Sequence, residues 1–182
     1  MSLVELFAIA VGLSMDAFAI AVCKGFALKK ARVRDSLTVG LYFGIAQAAM
    51  PLIGFALASR FADAVNAVAH WIAFAVLSII GGKMIIDAVR GGEEDRGDAL
   101  GFKAMFPLAV ATSLDALAVG ISLAFLKANV IGAAGFIGAT TFILSAAGVF
   151  AGAKVGAKLG NKAEILGGIV LIALAVKIVI SR

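Results

Sequence analysis

Ser14-Met15-Asp16-Ala17-Phe18-Ala19 recurs 99 residues later as Ser113-Leu114-Asp115-Ala116-Leu117-Ala118. Each copy sets one carboxylate deep inside a continuous apolar run. The runs around them are too long and too numerous for a soluble core. Six can be bounded in the 182-residue chain, at about 3–23, 36–58, 68–89, 104–126, 128–152 and 163–181. Each is near the ~20 residues that carry a helix across the hydrocarbon layer.

Composition agrees with the runs. The chain is 63% hydrophobic before its 21 glycines are added, and only 15% charged. Its mean hydropathy is +1.10. A soluble domain of this size cannot hide so much apolar surface, and a disordered chain would not carry it. A β-barrel would alternate apolar and polar residues, which these runs do not. The expected fold is therefore an all-α integral membrane protein of six transmembrane helices. Six spans leave no room for a soluble catalytic domain. No nucleophile–base pair, CxxC or HExxH motif is present, so an enzyme is not expected. The lone Cys23 excludes an intramolecular disulfide. The first run is not a signal peptide, because it lacks a basic flank and contains Asp16.

Charge sets the expected orientation. The net charge of +5 reflects basic loops rather than nucleic-acid binding. Lys24, Lys29, Lys30, Arg32 and Arg34 follow the first run. Arg90, Arg96 and Lys103 follow the third, and Lys154, Lys158 and Lys162 the fifth. Against these eleven, the other side shows at most Arg60, Lys127, Lys177 and Arg182. The acids Glu93, Glu94, Asp95 and Asp98 count little under the positive-inside rule. The basic loops then face the cytoplasm and its anionic headgroups, with both termini outside.

The duplication extends beyond the acids. Gly82-Lys83-Met84-Ile85-Ile86 aligns with Val176-Lys177-Ile178-Val179-Ile180, and His70-Trp71 with Glu164-Ile165, at an offset of 94. Gly40/Gly138 and Gly54/Gly152 align at 98. Residues 1–90 thus form one three-helix repeat and 104–182 a second, joined by an acidic linker at 91–103. Three is odd, so the halves insert with opposite orientation, an architecture that places a transport site near the midplane.

Asp16 and Asp115 are the expected site. A charge at the bilayer centre costs at least about 2.5–3.5 kcal/mol, so such residues face the bundle interior or a wet cavity. Two neighbouring carboxylates repel when both are ionised; a divalent cation between them removes the repulsion and displaces protons. Oxygen donors suit Mg²⁺, Ca²⁺ and Mn²⁺, whereas soft metals would call for more than Cys23 and His70. Candidate auxiliary ligands are Ser14, Ser113, Thr112 on the face of Asp115, and Gln47. Pro51 frees the Gln47 carbonyl, so a broken helix is expected there. Ser145, the repeat partner of Gln47, is expected to bond its own helix. Met15 reads as packing, and Trp71 and Tyr42 as interfacial or packing residues. Lys83, Asp87 and Arg90 read as a snorkelling cluster at a helix end, and Glu5 as an outer-end acid. Gly148, Gly152, Gly156 and Gly160, with Gly40 and Gly44, form small-residue ladders for close helix packing. Lys154, Lys158 and Lys162 fall roughly opposite the longer ladder.

Leu13-Ser14-Met15-Asp16-Ala17-Phe18-Ala19, the run from Ala111 to Gly120, and Ala163-Glu164-Ile165-Leu166-Gly167-Gly168 resemble the MntP family of bacterial manganese efflux pumps. His70-Trp71-Ile72-Ala73-Phe74 and Gly81-Gly82-Lys83-Met84-Ile85-Ile86 resemble it too, and the likeness covers essentially the whole chain. The family belongs to the LysE-type superfamily of six-span exporters. The resemblance implies export of Mn²⁺ as substrate across a bacterial inner membrane, with Asp16 and Asp115 as the intramembrane acids and no cofactor. Some members carry a carboxylate where this chain has Gln47. The residues alone reach a six-span, inverted-repeat cation transporter, and the acid pair adds the expectation of exchange for protons. An exporter of an amino acid or other small solute is the alternative, and a homo-oligomer stays open.

Overall fold

The structure is a computed structural model that describes residues 3–28, 31–58, 71, 74–75, 77–79, 81–82, 85–86, 89, 100–125, 129–159 and 161–180. Six helices carry the described chain: α1 (Leu3–Leu28), α2 (Val33–Leu57), α3 (Phe102–Thr112), α4 (Leu114–Phe125), α5 (Val130–Leu159) and α6 (Asn161–Ile180). The described residues between 71 and 89 are helical as well, and the described chain contains no strand. Lys83, Asp87, Arg90 and residues 91–99 of the linker lie outside the described residues.

Helix α1, α2 and α5 are each long and apolar enough to cross a membrane. Helices α3 and α4 meet at a 42° bend and are together long and apolar enough for a fourth span, broken at that bend. The chain is therefore an all-helical, multi-pass membrane protein. Polar starts frame the helices. The Asp35 carboxylate accepts the Arg32 N–H at 2.9 Å where α2 begins, and Asn129 Oδ1 accepts the Gly132 N–H at 3.1 Å at the start of α5.

Three expected boundaries are corrected. Helix α1 runs past residue 23 to Leu28, so Lys24 is a buried helical residue, 2% exposed, and not part of a loop. The reason lies in the next residue: Gly25 sits against Val149, Gly152 and Ala153 of α5, which keeps this turn inside the bundle. Helix α5 likewise runs beyond residue 152 to Leu159, so Lys154 and Lys158 project from a helix, both exposed. The third correction is at Pro51. Helix α2 is continuous through it, and the break falls in the fourth span, at Ser113. Pro51 is buried opposite Gly120 of α4, whose missing side chain lets the proline turn dock directly.

Glycine determines how closely the helices approach. Phe18, Val22 and Phe26 of α1 present main-chain oxygens to Gly148, Gly152 and Gly156 of α5, a register that rises together and makes the two helices parallel. A Cβ on Gly148 would stand 3.1 Å from the Phe18 oxygen, and one on Gly156 2.6 Å from that of Phe26. Between apolar helices in lipid such backbone contact replaces the hydrophobic drive that water would supply. Helices α2 and α5 cross antiparallel, Gly40 against Phe142 and Gly44 against Gly138. Gly54 of α2 receives Leu117 and Ile121 of α4. Gly81 meets Gly168 of α6. The expected ladders thus face the bundle wherever described.

Two apolar clusters fill the interior. The larger contains Ala17, Ile20, Val39, Phe43, Leu77, Met105, Leu108 and Leu171; the smaller contains Ala10, Leu13, Ala116 and Ile137. The smaller one lies beside the duplicated acid motif. Outside, α2 and α3 leave an apolar groove of about 510 Å³ lined by Leu41, Tyr42, Ile45, Phe102 and Phe106 among others. Trp71 is exposed and meets Phe74 edge-on, with ring centroids 6.4 Å apart.

Candidate functional site

The two acid motifs share a sequence but not a backbone. Ser14 lies within unbroken α1, where its hydroxyl donates to the Ala10 carbonyl at 2.6 Å and pairs with the Thr141 hydroxyl of α5 at 2.8 Å. Asp16 is half-buried one turn below Leu13. Ser113 instead closes α3 at φ −106° and ψ 5°, its N–H bonded to Val110 O at 3.2 Å. Its hydroxyl donates to Ala109 O at 2.7 Å and Val110 O at 3.1 Å. The Thr112 hydroxyl donates to Leu108 O at 3.0 Å and Ala109 O at 3.1 Å. Consecutive hydroxyls bonding back to the same turn offer the backbone an alternative to the helical ladder. Asp115 completes the break, its Oδ1 accepting the Ala116 N–H at 2.8 Å in the first turn of α4.

The turns that carry Asp16 and Asp115 are brought together by Gln47, whose Nε2 donates to both Leu13 O and Thr112 O. The Asp115 side chain has protein around it but retains an exposed face, which a cation could approach. Among the described residues, no three His, Cys, Asp or Glu side chains gather as a metal-holding group. Among the described residues, donors to a cation beside these two carboxylates would be neutral oxygens.

Gln47 brings the two motifs together. It is fully buried on α2, and its Nε2 donates to Leu13 O at 2.9 Å and to Thr112 O at 3.2 Å. Its Oε1 is buried without a hydrogen-bond partner. Of the candidate ligands, Gln47 thus spans the two turns that precede the acids, while the Thr112, Ser14 and Ser113 hydroxyls all donate to their own helices. Ser145 corrects its expectation: its hydroxyl is buried with no partner instead of bonding its helix. Met15 is 44% exposed and points away from the packed interior. Glu5 is exposed near the start of α1.

Sequence reasoning missed Thr141, whose fully buried hydroxyl bridges Ile137 O and Ser14. The available signal was its spacing, four residues before Ser145 on an otherwise apolar helix. The Leu13 and Thr112 carbonyls were also missed, since main-chain acceptors leave no compositional trace.

Comparison with known proteins gives a consistent result. The family model described as "Putative manganese efflux pump" matches residues 30–179. A protein of Acetivibrio thermocellus named "Putative manganese efflux pump MntP" is 48% identical over 179 residues, covering 98% of this chain and 90% of that one. A Clostridium botulinum (strain Langeland) protein, number 2 of the same name, is 44% identical over 193 residues, covering 100% and 96%. One from Mannheimia succiniciproducens is 46% identical over 186 residues, covering 100% and 98%. No solved structure matches the chain.

Proposed function

Because the chain belongs to the MntP family, we propose that it exports Mn²⁺ from the cytoplasm in exchange for protons, at a midplane site between Asp16 and Asp115. The observation that carries this reading is the duplicated acid, with both carboxylates inside apolar helices and the two turns before them tied to one Gln47 amide. Their combined charge is matched by one Mn²⁺ or by two protons. The Gln47 Oε1 and the Thr112, Ser14 and Ser113 hydroxyls are candidate neutral oxygens around the ion. An inside-negative potential pulls a divalent cation inward by about 4.6 kcal/mol per 100 mV, so export needs a coupled ion.

The site sits between two inverted three-helix halves, 1–90 and 104–182. Packing is in keeping with that reading: Gly152 receives Val22, and Gly54 receives Leu117 together with Ile121, the residue 99 positions after Val22. In the cycle we propose, Mn²⁺ enters from the cytoplasm, the halves rock, and external protons neutralise the carboxylates and release the ion. The membrane is the bacterial inner membrane, with both termini outside.

The test is efflux of preloaded Mn²⁺ from vesicles, with pH followed by a trapped dye. Wild type should export Mn²⁺ with counter-movement of protons, and Asp16→Asn should lower the rate at least tenfold. Equal efflux from both proteins sinks the site, and export without proton movement sinks the exchange.

A further inference from the structure

The Gln47 amide has two N–H groups, and both are spent on main-chain carbonyls of other spans, Leu13 of α1 and Thr112 of α3. These carbonyls are 99 residues apart, the offset of the acid motif itself. Each lies three residues before its aspartate, about one helical turn away. A single planar group therefore ties together the two equivalent turns that carry the acids. The separation of the two carbonyl oxygens can be no more than the two bonds together span.

The orientation of the amide follows from chemistry. Reversed, it would aim Oε1 at two carbonyl oxygens, acceptor against acceptor. With the donors on the carbonyls, Oε1 is left without a bond, as observed. Gln47 is completely buried, so losing its amide deprives both carbonyls of this bond with no water in its place. Helices α1 and α4 do not supply the tie by packing on each other; α1 packs mainly on α5, and α4 on α2.

Resting on the Asp16–Asp115 reading, we propose that Gln47 is a positioning residue that sets the carboxylate separation and hence the size of cation preferred. Its N–H groups do the positioning, whatever Oε1 contributes to the ion. Oxygen ligands stand about 2.0–2.1 Å from Mg²⁺ and about 2.3–2.6 Å from Ca²⁺, so a fixed spacing between two carboxylates discriminates among ions of equal charge.

The experiment uses the full-length purified protein with spin labels on Gly12→Cys and Ser122→Cys in a Cys23→Ala background. Both labelled positions are exposed, and Gly12 has open space beside it. Electron paramagnetic resonance without metal reads the distance between α1 and α4, and Mn²⁺/Ca²⁺ competition reads preference. Gln47→Glu keeps an oxygen but loses both donors; Gln47→Leu loses all three groups. We expect both to broaden the distance distribution and to reduce the Mn²⁺ over Ca²⁺ preference at least fivefold. An unchanged narrow distribution in Gln47→Leu overturns the proposal, even if Mn²⁺ binding weakens, because Gln47 would then be a ligand only. Should Gln47→Leu fail to fold, Gln47→Met, close in volume, carries the same readout. Asp16→Asn separates the premise: it should lose Mn²⁺ binding with a narrow distribution. Retained binding there refutes the acid site independently of any Gln47 result.

Discussion

Leu13-Ser14-Met15-Asp16 and Thr112-Ser113-Leu114-Asp115 occupy equivalent places in the duplication, yet one is continuous helix and the other a 42° break. Both serines bond back to the carbonyl four residues earlier. The difference is what accompanies them. At the first motif the residue before serine is Leu13, and the Ser14 hydroxyl is shared with Thr141 across the helix contact. At the second, Thr112 adds another back-bonding hydroxyl, and Asp115 takes the Ala116 N–H. The first motif has one back-bonding hydroxyl in an intact helix; the second has two hydroxyls and the Asp115 carboxylate bonding at the break. Where Thr112 closes α3, its carbonyl accepts the Gln47 amide.

The largest test of this comparison is at Asp115, which accepts a first-turn N–H of α4 and which the duplication marks as a site. An asparagine Oδ1 can accept the same N–H without the charge. Asp115→Asn should therefore fold normally yet lose Mn²⁺ efflux at least tenfold, as Asp16→Asn does. Normal efflux would leave Asp115 with only its local bond to Ala116 and the two motifs functionally unequal. Next in size are the glycines that repeat at equivalent positions. Gly152→Ala and Gly54→Ala should each cost about 1–3 kcal/mol through overpacking, read as thermal denaturation in detergent. A clear loss in one and none in the other would show that only one of the two seams is tight. Smallest is Thr112→Val, which removes one competing hydroxyl. We expect about a twofold to fivefold fall in efflux, with stability changed by no more than about 1 kcal/mol. The break should straighten, measurable as a longer label distance along the fourth span. An unchanged distance would move the cause of the break to Ser113 and Asp115.

Much of this was legible in the sequence, for identifiable reasons. Apolar runs report spans because lipid requires them. Gly148, Gly152 and Gly156 recur every four residues, which places them on one helix face whatever they touch. The break was not legible. Pro51 is the stronger written signal, but its disruption depends on what lies opposite, and Gly120 accommodates it. Ser113 is the weaker signal and wins through its neighbours' hydrogen bonds. A linear reading puts Lys24 in a loop because there charge outweighs burial; the contact of Gly25 with α5 keeps that turn helical. For Gln47, the residue stood out, but its two partners are carbonyls, which every residue has.

The seam between α1 and α5 has one more consequence, for how such a chain can change over generations. Opposite Gly152 stands the main-chain oxygen of Val22, not its side chain. Trimming Val22 to alanine or glycine would make no room for a methyl group on Gly152, because the obstructing atom belongs to every residue alike. Compensation can come only from displacing a whole helix, which disturbs every other contact that helix makes. Residues that interlock through side chains can drift in complementary pairs. A seam built on backbone leaves its glycines no partner with which to drift.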